Sequence, residues 1–521
     1  MQVVMKKVKI LNKLSLGAVI LLVSGVICKF LGALFRLPLT NLLSIEGIGI
    51  FQLIMSLYAF ALVLTSGGVT NSLSKLISAA RAKSEFPKIN TYLRRAIFVA
   101  VGIGFLIGAL FFLFMPYISA FQGIGQNKSY LLFVLMLPLG AGLSAFRGFF
   151  QGYENMLPTA ISQVIEQVFK FAFGLLFAFY FGKNGIAEGV FGAFLGITLS
   201  EVVSLGFLFL LFLSKNKNQK RLENLSEIKF ARKEFDKANF PLTLSASILP
   251  LVNAFDGLII IPRLMQAGLS NGLATKLFGL QAGVVGALLN FPLIISMAVS
   301  TTLLPNISYL ISRGTGGKFV IEKGLKILLF LILPTTFGVV AISKQAFMLV
   351  YNDMSGGILD TAFSLILYGG FSIVFTALMQ FLTMLLQANG QFKYILAITT
   401  LGGVVKACIS YFLSAVPSIN IFALVLGNIA LAAVVSVLAL LKLKSVVSFR
   451  LSFSDLFVMI FATFLMFVTV YTFINSNYFG LLTNIILGIL LGVLVYFVMT
   501  VPFWIKFSRK SQAKTQYKFK I

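Results

Sequence analysis

Long apolar runs separated by short polar interruptions set the pattern of this chain. Most runs exceed the roughly 20 residues that an α-helix needs to cross a bilayer. They fall at 15–42, 48–73, 96–121, 130–150, 157–181 and 189–213. A second set of six lies at 240–267, 278–304, 325–342, 359–386, 394–415 and 419–441, and two more follow at 453–474 and 479–504. The pattern predicts an all-α integral membrane protein with about fourteen transmembrane helices. Pro38, Pro250, Pro262 and Pro292 fall inside spans, where a neighbour or water must satisfy the freed carbonyls; such breaks suit bending during transport. Gly67-Gly68 and the Gly102/Gly104 pair read as close-packing sites.

Composition agrees. Of 521 residues, 59% are hydrophobic and 11% charged, and mean hydropathy is +0.99; a soluble domain lacks the interior for so much apolar side chain. The formal net charge of +27 would suggest a nucleic-acid partner in a soluble protein. Here its location implies membrane lipids instead, and no nucleic acid. With the N-terminus in the cytoplasm, 33 of the 42 Lys and Arg fall on the cytoplasmic side. They include Lys6 to Lys13, Lys75 to Arg95, Lys215 to Lys237, and the tail from Lys506 to Lys520. Only Lys128, Lys183, Lys276 and Lys344 fall in external loops. The expectation is a multi-pass protein of the cytoplasmic membrane with both termini inside. Its basic N-terminus leads into a first span without a small-residue cleavage site, so that span is read as retained. The absence of His removes imidazole triads, relays and metal sites. Cys28 and Cys408 lie far apart in apolar runs and read as small packing residues.

The two six-span sets resemble each other. Gln151-Gly152 after the fourth span matches Gln387-Ala388 after the tenth, and Lys170 in the fifth matches Lys406 in the eleventh, both at an offset of 236 residues. Ser74 to Ser78 resembles Ser308 to Ser312, and Gly189 to Gly196 resembles Asn420 to Gly427. Both sets begin on the same side, which predicts lobes related by an axis along the membrane normal. The expected organisation is a lobe at 1–213, a basic cytoplasmic linker at 214–239, a lobe at 240–441, and two additional helices with a basic tail at 442–521.

Charges inside spans carry the chemistry, because each costs at least ~2.5–3.5 kcal/mol at mid-bilayer. Lys29 and Arg36 share a face of the first span, and Asp256 and Arg263 share a face of the seventh, with the same spacing of seven. Lys170 and Lys406 add a repeat-related pair; Glu166 and Glu201 complete the set. Glu166 stands four before Lys170, the favourable order for an intrahelical pair, and Lys29 is expected opposite Asp256. Five cations against three acids make the interior net positive. Such an interior attracts a diphosphate, for which arginine is suited. The candidate substrate-binding residues are therefore Arg36, Arg263, Lys29, Lys170 and Lys406, and the candidate coupling or gating residues Asp256, Glu166 and Glu201.

Fourteen spans in a six-plus-six-plus-two order, with Gly32-Ala-Leu-Phe-Arg36-Leu-Pro38, resemble the multidrug/oligosaccharidyl-lipid/polysaccharide exporter superfamily. Gly47-Ile-Gly-Ile-Phe51-Gln52 and Ser74-Lys75-Leu-Ile-Ser78 are similar to its MurJ/SpoVB branch. The resemblance implies a flippase, not an enzyme. It would carry lipid II, the undecaprenyl-diphosphate-linked peptidoglycan precursor, from inner to outer leaflet by alternating access. It implies a cationic cavity for the head, with Arg36 in the position of the branch's first-span arginine, and a groove for the polyprenyl tail on the two additional helices. Partners in cell-wall synthesis are a further implication. The branch's lipid II flippases usually carry another arginine in the second span; 48–73 has none, and Lys29 is the candidate substitute. Two alternatives stand beside it, a flippase for another polyprenyl-linked oligosaccharide and a cation-coupled multidrug exporter. No cofactor is expected. The drive is open among Na⁺, a proton and the membrane potential.

Overall fold

The computed structural model describes residues 2–125, 127–215, 224–312, 318–351, 357–446, 453–476 and 479–518. Side chains at 2–16, 18, 301–312, 319–320, 446 and 502–518 are outside that description. The basic residues expected at Lys217, Lys220 and Arg221 and at Arg313 therefore lie outside the described residues. So do the side chains of the two basic termini and of Ser308 to Ser312.

The described residues form helices and the short turns between them, with no strand among them. Thirteen helical stretches are long and apolar enough to cross a bilayer. The first, Val19–Ala82, runs for 64 residues, enough to cross twice, which accounts for the fourteen expected spans. It consists of α1 (Gln2–Ser66) and α2 (Val69–Ala82), and α1 is broken at Ser44, where φ is +64°. A serine rarely takes this left-handed conformation. Here its Oγ accepts from the Gly47 N–H at 3.4 Å, giving the next helical stretch an N-cap. The break falls between the spans expected at 15–42 and 48–73.

The remaining helices of the first compact unit are α3 (Phe86–Phe121), α4 (Phe133–Gly152), α5 (Leu157–Gly182), α6 (Ile186–Lys215), α7 (Leu225–Gln266) and the short α8 (Asn271–Phe278). That unit comprises 1–284 and 403–427. The second comprises 285–402 and 428–521. It holds most of α9 to α15: α9 (Gly286–Ser312), α10 (Lys318–Val350), α11 (Gly357–Ala388), α12 (Phe392–Leu413), α13 (Phe422–Val446), α14 (Phe453–Asn475) and α15 (Leu481–Lys518).

Two apolar clusters hold the first unit. One joins Phe35, Leu39, Phe51 and Tyr58 of α1 to Tyr130, Phe133 and Phe194. The other joins Leu73, Ile77, Tyr92, Phe146, Phe149 and Phe235. The outward face of α3 is apolar too, with Phe98, Leu106 and Leu113 exposed, as a lipid-facing surface requires.

Glycine serves close approach unevenly. A Cβ on Gly104 would stand 2.9 Å from the Pro138 nitrogen, and one on Gly68 2.5 Å from the Asn239 carbonyl oxygen. Gly102 meets nothing within 4 Å, so its expected packing role is corrected: it faces away from α4. Cys408 is exposed rather than packed, and Cys28 is half-buried.

Candidate functional site

All eight candidate charged residues belong to the first unit, because the second half of α12, which carries Lys406, packs there. They form two groups.

The first group centres on α5. Glu166 does not pair with Lys170, one turn away on its own helix. It accepts from Arg147 Nη2 of α4 at 2.7 Å, while Arg147 Nε donates to Ser162 Oγ at 3.0 Å. Arginine wins because its fork engages two acceptors one turn apart on α5 at once. Lys170 instead places its ammonium 5.3 Å from the centre of the Phe35 ring. It lies within electrostatic range of Arg36, Glu166 and Glu201. Glu201 is buried and accepts from Tyr58 Oη of α1; its Oε2 takes no hydrogen bond. Arg36 is half-buried on α1, one turn below Thr40, whose hydroxyl donates to the Arg36 carbonyl. Lys29 is exposed and forms no ion pair among the described residues.

The second group joins α7 to α12. Asp256 and Lys406 are both buried, and Lys406 Nζ stands 3.0 Å from Asp256 Oδ2 and 2.7 Å from Asn253 Oδ1. Asp256 Oδ1 takes no hydrogen bond. The expected opposition of Lys29 and Asp256 is thus replaced by an Asp256–Lys406 pair. Two turns on, the Arg263 guanidinium lies 4.1 Å from the centre of the Tyr411 ring. Its Nε donates to the Tyr411 carbonyl at 2.7 Å, and its Nη1 to Gln266 Oε1 at 2.5 Å.

Sequence reasoning did not single out Arg147, Tyr58 or Asn253. The Gly47-to-Gln52 motif also finds its reason in packing. A Cβ on Gly49 would collide with the Thr275 carbonyl, and Gln52 Nε2 donates at 2.8 Å to the Ala282 carbonyl. That carbonyl lies in the π-helical stretch Gly279–Val285, whose widened turns leave backbone acceptors to be satisfied.

The profile of the family described as "polysaccharide biosynthesis protein" matches residues 15–311, more than half of the chain. The chain belongs to that family. A second profile, "lipid II flippase MurJ", matches 285–478. Stage V sporulation protein B of Bacillus subtilis (strain 168) is 29% identical over 56% of this chain, and the match spans 57% of that relative's length. The lipid II flippase MurJ of the same organism is 25% identical over 66% of this chain and 67% of its own. The solved structure of a lipid II flippase MurJ in an inward closed conformation superposes with a TM-score of 0.71. It covers 93% of this chain and 98% of the other at 14% identity, a likeness of fold. The resemblance to MurJ/SpoVB-type flippases drawn from the sequence is supported by both profiles and these relatives, and this polysaccharide biosynthesis family member shares their all-α membrane architecture.

Proposed function

We propose that the chain flips a polyprenyl-diphosphate-linked glycan, lipid II first, from the inner to the outer leaflet of the cytoplasmic membrane by alternating access. The observation that carries the reading is the cation surplus within the first unit. Glu166 is taken up by Arg147 and Asp256 by Lys406, while Glu201 is met by a tyrosine. Lys29 and Lys170 are left with no ion-pair partner among the described residues. Positive charge in a low-dielectric interior attracts the diphosphate of a lipid-linked head and repels cationic drugs. Arg36 and Arg263 would grip the diphosphate oxygens, and Lys29 and Lys170 would add charge around them. Lys406 would hold Asp256 rather than substrate.

An inside-negative potential favours outward movement of an anionic head. Glu201, with one carboxylate oxygen unbonded, is the group we assign to a coupling Na⁺ or proton. The distribution of Lys and Arg supports termini in the cytoplasm.

The test is complementation. In a host depleted of its lipid II flippase, expression of this chain should restore lipid II at the cell surface. Failure to rescue at normal expression would overturn lipid II as substrate and point to another glycan on the same carrier. Arg36→Ala and Arg263→Ala should each abolish transport without loss of folded protein; retained activity in both would overturn the diphosphate site.

A further inference from the structure

Away from the candidate transport site, α3 and α7 enclose a cavity of about 420 Å³, the size of an ordinary ligand site, with three arginines among its lining residues: Arg94, Arg95 and Arg232. Asn90 and Thr91 supply neutral polar groups, and Phe98 and Ile228 the apolar wall. We infer that this cavity binds the phosphodiester headgroup of an anionic phospholipid.

Three observations converge. The first is charge. Arg95 is committed to Asp236, with Nη2 to Oδ2 at 2.7 Å and Nε within 3.2 Å of both carboxylate oxygens. Arg94 and Arg232 make no hydrogen bond or ion pair among the described residues. Asp236 therefore neutralises one arginine and orients it, and two guanidinium groups remain with donors unused at the cavity wall. Guanidinium matches phosphate oxygens in geometry as well as charge.

The second observation is depth. Phe98 follows Arg94 by one helical turn, about 6 Å along the axis, and its side chain is 74% exposed. Below it on α3, Leu106, Leu110 and Leu113 are also exposed, forming the surface that acyl chains cover. The arginines thus stand where that apolar surface ends, at headgroup level. Basic pockets between helices at this level hold anionic lipid heads.

The third is rigidity. The cavity's two walls are tied together by the Arg95–Asp236 pair and by Tyr92 Oη, which donates to Glu234 at 2.5 Å. The site therefore exists before its ligand arrives, which lowers the ordering cost of binding. A phosphodiester placed between Arg94 and Arg232 would let its acyl chains descend past Phe98.

The probe is phosphatidylglycerol, titrated against the full purified chain in detergent, with bound lipid counted by native mass spectrometry. Wild type should hold at least one phosphatidylglycerol more than the Arg94→Gln/Arg232→Gln variant, whose affinity for that lipid should fall tenfold or more. Thr91→Glu, which keeps every arginine and places a carboxylate at the wall, should lose the same lipid; it provides the test if the double variant fails to fold. Phosphatidylcholine should not compete on wild type. Equal lipid counts in wild type and either folded variant, or equal competition by phosphatidylcholine, would overturn the site. Displacement by millimolar inorganic phosphate would reassign it to the free anion, and stoichiometric displacement by undecaprenyl phosphate would reassign it to the polyprenyl carrier; either result overturns the phospholipid reading.

Discussion

The two compact units are joined internally by different chemistry. In the first, charge and hydrogen bonds join helices beside the two apolar clusters: the part-buried Arg147–Glu166 pair and the buried Lys406–Asp256 and Tyr58–Glu201 contacts. In the second, α10, α14 and α15 meet mainly through apolar side chains, aromatic ones included, and glycine. There Gly488 and Gly492 let α15 lie against Val470 and Ile474, and the three helices border a groove of about 350 Å³ that includes Pro334, Gly338, Met466 and Tyr496. Its ion pair in that region, Lys326 to Asp455 at 2.5 Å, is less buried than Lys406 to Asp256, with side chains 19% and 11% exposed against 5% and 9%. Other polar ties there join neutral groups, Tyr496 Oη to the Phe330 carbonyl and Gln345 Nε2 to Asn475 Oδ1. Association in a bilayer gains nothing from excluding water, so the two units show its two remaining means: polar contacts that hydrocarbon cannot replace, and close van der Waals fit. The first unit also holds Lys170 within its apolar layer without an ion-pair partner among the described residues.

The sharpest way to break the comparison is at Lys406. Lys406→Met would strand Asp256, whose Oδ1 already lacks a partner, and should cost about 3–5 kcal/mol. Lys326→Met in the second unit should cost less, since water reaches that pair. Asp256→Leu combined with Lys406→Met should recover most of the loss, because no charge is then left uncompensated. Denaturation in mixed micelles followed by circular dichroism reads all three. A smaller loss for Lys406→Met than for Lys326→Met would remove the contrast.

Much of this was legible in the chain. The spans could be read because a bilayer demands long apolar runs, and even the break in α1 fell within the gap expected between the first two. Charge placement was legible as position but not as pairing. Glu166 and Lys170 satisfy the one-turn rule on α5, yet Arg147 arrives from α4 with a longer, forked side chain and takes the carboxylate. Asp256 likewise takes Lys406, 150 residues downstream, rather than Lys29. One-dimensional spacing tells which residues share a face, not which neighbour that face meets. Gly102 and Gly104 make the same point: two residues apart, only one faces α4.

The next effect concerns Tyr58. Tyr58→Phe keeps the ring against Phe133 and removes the donor to Glu201, leaving that buried carboxylate without a hydrogen bond. The expected loss is about 1–3 kcal/mol, the usual cost of leaving a buried polar group without its partner. A neutral result in the same denaturation assay would show that water reaches Glu201 and that the first unit is less dry than its counterpart.

On the aliphatic side, Gly488→Val should destabilise the second unit by about 1–3 kcal/mol through overpacking. A Cβ there would already lie 2.7 Å from Ile474 Cδ1 and 2.9 Å from Cγ1. Gly480→Ala is the control, since nothing lies within 4 Å of its added carbon. If Gly488→Val proves as mild as the control, close fit is not what joins α14 to α15.

The smallest effect lies outside the membrane layer, where solvent erases the contrast between units. Glu85 precedes α3 and accepts from Lys88 Nζ at 2.8 Å, a hydrogen bond that holds its carboxyl below the ordinary glutamate value despite some desolvation. A carboxyl whose folded value is depressed contributes stability above its unfolded value, near 4.3, and loses it as pH falls through the folded one. Acidification from pH 6 to below 4 should therefore loosen the turn between α2 and α3. Because the pair is solvated and screened, global melting should hardly respond to its loss. Amide exchange across residues 84–90, corrected for intrinsic rates, should quicken over that window in wild type, and the quickening should shrink in Glu85→Gln. An identical pH response in both proteins would mean that the turn is held by its backbone hydrogen bonds, Glu85 N–H to Ala80 and Lys88 N–H to Glu85, and that the charge pair there contributes nothing.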